Sequence, residues 1–129
     1  MQRKSIDDLG ELQKRVMEAV WRLGQATTRQ VWEQLNRKRP LAYTSVLSIM
    51  QRLERAGWLR HQVEGRAYVY EAVLSRDQEG RRSLKEFIQK VFQGDSQVVF
   101  QHLIEDEALS DRDLLALRRL IDQKRKELK

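Results

Sequence analysis

Between Thr27 and Ala72 the apolar residues pass from helical spacing to strict alternation, and this switch limits the fold more than any other feature of the chain. The stretch TTRQVWEQLNRKRP sets Val31, Trp32 and Leu35 at helical steps, with Thr28 as the expected N-cap. It ends in a basic turn, Arg37-Lys38-Arg39-Pro40. A second helix, about Tyr43 to Ala56, carries Val46, Ile49, Met50 and Leu53 as its buried stripe and stops at Gly57. Then Trp58 to Val63 and Ala67 to Ala72 read as strands turning at Glu64-Gly65. Tyr68 and Tyr70 fall on one face of the second strand and Val69 on the other. Helix, turn, helix and hairpin in this order are the layout of a winged helix-turn-helix.

A further helix precedes this segment. Leu9, Leu12, Val16, Val20 and Leu23 recur every three or four residues, with Asp7 or Asp8 able to cap the start and Gly24 at the stop. Gln25 to Thr27 reads as a short extended piece. Beyond Ser75 three amphipathic stretches follow: Leu84 to Phe92, then Val99 to Ile104, then Leu114 to Ile121. Ser110 and Asp113 form a capping box before the last. Three short helices with no sheet to cover form either a small helical subdomain or a dimer interface. The interface is the stronger reading, because so few residues make a poor core alone. Phe87, Val91, Val99, Leu103, Leu117, Leu120 and Ile121 are the apolar residues expected to pair. The expected fold is mainly α with a small antiparallel sheet. Residues 1–75 form the winged head and residues 76–129 a helical dimerisation region.

Charge narrows the partner. The chain carries a net charge of +6 and a pI near 9.9. From Arg29 to Arg66 eight cations meet three anions, so +5 of that excess lies on the helix-turn-helix and hairpin. A localised basic excess favours a polyanion, nucleic acid before membrane. The absence of cysteine excludes disulfides, thiolate metal sites and cysteine nucleophiles. No apolar run nears the roughly 18 residues of a membrane span, and the N-terminus lacks the apolar core of a signal peptide. A cytoplasmic protein with no membrane insertion is expected. His61 and His102 belong to no metal-ligand motif, the acidic run Glu105-Asp106-Glu107 implies no cleft, and the six glycines form no phosphate loop. Neither an enzyme nor a cofactor is expected.

The second helix of the pair offers the candidate site. Thr44, Ser45, Ser48, Gln51, Arg52 and Arg55 share the face opposite its apolar stripe. In a major groove, Thr44, Ser45 and Ser48 would stand near base edges, and Arg52 and Arg55 would meet phosphates. Arg66 at the hairpin tip suits a phosphate or the minor groove. Tyr43, at the helix start, either packs on the turn or touches the DNA backbone. The bland alternative for this face is a solvated surface. The functional alternative is a winged helix that binds protein and never DNA. Trp21, Trp32 and Trp58 lie on or near apolar stripes and read as core, not as base-stacking platforms.

The runs LGELQKRVMEAVWRLG, TTRQVWEQLN, LAYTSVLSIMQRLERAGWL and EGRAYVYEA resemble the penicillinase-repressor family (BlaI/MecI type) of winged-helix regulators. The likeness extends into the tail through FIQKVFQGD and VVFQHLIEDEALSDRDLLALRRLID. It implies a dimeric repressor that occupies a palindromic double-stranded DNA operator and blocks polymerase. It also places Thr44, Ser45, Ser48 and Arg52 on the recognition helix, and Gly65-Arg66 at the wing tip. In β-lactam-responsive members a sensor-protease pathway cuts an Asn-Phe bond, and Gln101-His102 stands at the matching place here. That departure leaves the route of release open. A copper-responsive branch senses through paired cysteines, which this chain lacks.

Overall fold

The computed structural model describes residues 5–129. Six α-helices and three strands follow one another as α1 (Glu11–Leu23), β1 (Gln25–Ala26), α2 (Thr28–Asn36), α3 (Tyr43–Arg55), β2 (Leu59–Glu64), β3 (Ala67–Ala72), α4 (Arg76–Phe92), α5 (Ser96–Asp106) and α6 (Asp111–Glu127). The sheet is antiparallel in the order β1-β3-β2. The mainly helical fold with its small sheet is the expected one.

Local chemistry sets the boundaries, and in four places it moves them. Asp7 and Asp8 do not cap α1: they belong to a separate 3₁₀ turn, Ile6–Asp8. Helix α1 starts after Gly10, whose N–H donates to the Gln13 side chain at 3.1 Å. Thr28 is not the cap of α2 either. Thr27 Oγ1 accepts from Gln30 N–H at 3.2 Å and Gln30 Oε1 accepts from Thr27 N–H at 2.8 Å, a reciprocal capping box. Thr28 is thereby the first helical residue, and it is buried. In the hairpin Glu64 pairs with Ala67, so the turn is Gly65-Arg66, one residue later than expected. Gly65 takes φ 62°, a conformation that favours glycine. Trp58 precedes β2 instead of opening it, and is 1 % exposed.

One hydrophobic core fills the head. Val16, Met17 and Val20 of α1 meet Val31 and Leu35 of α2 and Val46, Met50 and Leu53 of α3, closed by Trp58, Leu59 and Tyr70. Ile49 packs against this core half-buried. Trp21 Nε1 donates to the Leu74 carbonyl at 3.0 Å, and Trp32 Nε1 to the Leu41 carbonyl at 2.7 Å. The three tryptophans are therefore framework, as their spacing indicates.

The chain divides into two compact units, the first reaching Glu86 and the second running from Phe87 to Lys129. Helix α4 begins well before the apolar stripe that announces it, because Ser75 and Gln78 cap one another's backbone N–H at 2.9 and 3.1 Å. Its first turns belong to the first unit: Arg76 Nε bonds Glu18 Oε1 at 2.9 Å and Ile6 N–H donates to Ser83 Oγ at 3.2 Å. In the second unit Asp95 caps α5 and the Ser110–Asp113 box caps α6, both bonds of that box being 3.1 Å.

Candidate nucleic-acid interface

The stripe of Val46, Met50 and Leu53 turns one side of α3 into the core, and the 3.6-residue period forces the remaining residues outward. Thr44, Ser45, Ser48, Gln51, Arg52 and Arg55 all stand exposed on that outer side. Neither Arg52 nor Arg55 has an acidic partner within ion-pair distance among the described residues, so both guanidinium groups remain available to an anion. Tyr43 packs at the start of α3 and still reaches the surface. Its ring meets Trp32 edge-on, centroids 6.1 Å apart, yet it remains 43 % exposed.

Beside this face lies an open groove of about 470 Å³ between α2, α3 and the hairpin. The structure brings Tyr43, Gln51 and Arg66 together in its wall. Thr44, Ser45, Ser48, Arg52 and Arg55 do not line it and stand on the exposed helix face alongside. The groove also takes in Thr27, Thr28, Arg29, Leu47 and Tyr68, which sequence reasoning passed over. Thr27 and Arg29 could have been found from the T-x-x-Q capping box, which puts the start of α2 on this side. Tyr68 could have been found from its alternation with Tyr70.

The hairpin is fixed to α3 by a polar and aromatic bridge. His61 Nδ1 on β2 lies 2.5 Å from Glu54 Oε2 on α3. The imidazole stacks on Tyr68, centroids 4.1 Å apart and planes 10° from parallel, and tilts against Tyr70 at 5.5 Å. Burial, and then the nearby Glu54 carboxylate, push the Tyr70 phenol above its ordinary value of 10.0. On the outer face of the sheet Arg60 Nε bonds Glu71 Oε1 at 2.7 Å, and hydrogen bonds from Arg60 and Gln25 hold the Glu71 carboxyl below its usual 4.5.

The second unit presents a different surface. Phe87, Val91, Leu103, Leu120 and Ile121 are exposed, and Val99 and Leu117 are half-buried. Gln101 and His102 lie inside α5, where the imidazole meets Asp106 Oδ2 at 2.6 Å and tilts against Phe92. Among the described residues no three His, Cys, Asp or Glu side chains gather as a metal site. No described helix is long and apolar enough to cross a membrane.

A three-helix head with an outward polar third helix and a glycine-tipped hairpin is a winged helix-turn-helix. The sequence pattern of the penicillinase repressor family matches residues 9–123. The transcriptional regulator BlaI of Mycobacterium tuberculosis (strain CDC 1551 / Oshkosh) is 39% identical over 71 residues, covering 54% of this chain and 51% of that protein. The chain thus spans about half the length of that relative. The penicillinase repressor of Bacillus licheniformis is 20% identical over 120 residues, covering 93% of this chain and 94% of that one. Among solved structures, the DNA-binding domain of the repressor BlaI superposes with a TM-score of 0.50 at 25% identity, over 57% of this chain and 89% of that domain. The chain belongs to the penicillinase repressor family, a family of regulators and not of enzymes.

Proposed function

We propose that this chain is a sequence-specific DNA-binding transcriptional repressor, acting in the cytoplasm as a homodimer on a palindromic operator. The observation that carries the reading is the division of α3 into a buried apolar side and an exposed side of hydroxyls, an amide and two arginines. The head, residues 1–75, reads the duplex. Thr44, Ser45 and Ser48 address base edges, while Arg52, Arg55 and the wing-tip Arg66 neutralise phosphates. Residues 76–129 pair with a second copy, so that two heads reach half-sites one helical turn apart or a multiple of it. Occupation of a promoter then blocks polymerase. For release, a sensor-protease pathway cutting between Gln101 and His102 would act only after α5 unwinds, since proteases favour exposed loops over helix interiors.

Fluorescence anisotropy on a random duplex and on a duplex selected from a random pool, each across a salt series, tests the reading. The logarithm of the binding constant should fall linearly with the logarithm of salt concentration, and affinity should be higher for the selected duplex. A protein that binds neither duplex would be a protein-interaction module instead.

A further inference from the structure

Tyr68, on the wing strand, is 51 % exposed and lines the same groove as Arg66, Gln51 and Tyr43. An exposed aromatic ring is ordinarily free to change rotamer. This one is not free, because the His61 imidazole lies flat against its inner face at 4.1 Å. His61 is itself pinned at 2.5 Å by Glu54, which projects from the recognition helix. In register His61 pairs with Tyr70, so Tyr68 is its diagonal neighbour, a distance that aromatic side chains span. The chain of contacts runs from α3 through Glu54 and His61 to Tyr68, and the outer face of Tyr68 is the end of it. We propose that Tyr68 is a DNA-contacting residue of the wing and that His61, held by Glu54, is the positioning residue that sets its ring. This deepens the proposed function and rests on it.

The ring suits the sugar–phosphate backbone better than a base. It shares the groove wall with Arg66, while Thr44, Ser45 and Ser48 do not line that groove, and its phenol can donate to a phosphate oxygen while its edge packs on deoxyribose. A backbone contact gives affinity without sequence choice. Its loss should therefore weaken a selected and a random duplex by the same factor.

The test is a double-mutant cycle in the full chain, read as dissociation constants on both duplexes, with thermal melts of each variant. Tyr68→Ala should weaken binding about tenfold, as expected for one lost hydrogen bond and its packing. His61→Ala should weaken wild-type binding several-fold, yet change the Tyr68→Ala protein by less than about twofold, because its effect passes through that ring. If His61→Ala folds poorly, His61→Gln takes its place, keeping a group for Glu54 without a ring, and the same result is expected. Tyr68→Ala binding within about twofold of wild type would overturn the contact. Multiplying losses in the double variant would overturn the positioning role. A wild-type chain that binds no duplex brings down the underlying reading, and shows it before any variant is compared.

Discussion

Ser48 and Arg52 sit one turn apart on the exposed side of α3 and should fail differently when truncated. Arg52→Ala should weaken binding to every duplex and lower the salt slope by about one, the signature of one lost phosphate contact. Ser48→Ala should leave the salt slope unchanged and shift base preference at one position by about 1–3 kcal/mol. Binding titrations against a panel of single-base variants separate the two effects. If neither substitution changes binding, α3 does not read DNA. A third residue answers to pH. Glu71 has its folded pKa lowered by Arg60 and Gln25, so its stabilisation is complete above the unfolded value and disappears as pH falls through the folded one. In acid-side melting curves Glu71→Gln should remove that part of the pH dependence while leaving the rest unchanged. Equal acid slopes for the two proteins would show that the Arg60–Glu71 bond contributes nothing.

At the scale of elements, α2 depends on the Thr27–Gln30 box. Thr27→Ala should destabilise the head by about 1 kcal/mol, measured by denaturant melting, and Thr28→Ala should act through its buried methyl instead. Equal effects from a loss of capping at either threonine would refute the assignment. The helices and strands themselves were readable from apolar period alone, since Val46, Met50 and Leu53 or the Tyr68–Tyr70 alternation admit one geometry each. Their ends were harder, because two adjacent threonines offer the same hydroxyl and only the partner three residues on decides between them. The turn shifted for a related reason: Glu64 is a poor strand former by type, yet pairing with Ala67 carries β2 one residue further. On α3 the outward residues of the candidate site could be read from helical period, which follows one helix. The groove could not, because it joins the start of α2 to the wing and no spacing within either element encodes that approach. The Glu54–His61–Tyr68 bridge was hidden for the same reason, with each residue unremarkable on its own element.

For the molecule as a whole, the distribution of burial poses the question of self-association. Among the described residues, every buried hydrophobic lies between Leu9 and Tyr70. From Phe87 to Lys129 none is buried, and ten large apolar side chains stand 40 % or more exposed. A unit of that size without a buried centre gains little from folding alone. A second copy offers the same apolar faces in return, which is how twofold interfaces are built. Charges placed there should therefore separate the copies without disturbing the head, whose core they do not enter. The full chain carrying Leu103→Glu and Leu120→Glu should sediment as a monomer at concentrations where the wild type is a dimer. It should retain the cooperative melt of the head and lose about 100-fold in affinity for a duplex with two half-sites, since the second head no longer binds at high effective concentration. On a duplex with one half-site the two proteins should bind alike. A variant that stayed dimeric would move the interface away from these helices, and a monomer that kept full affinity for paired half-sites would remove dimerisation from the mechanism of binding.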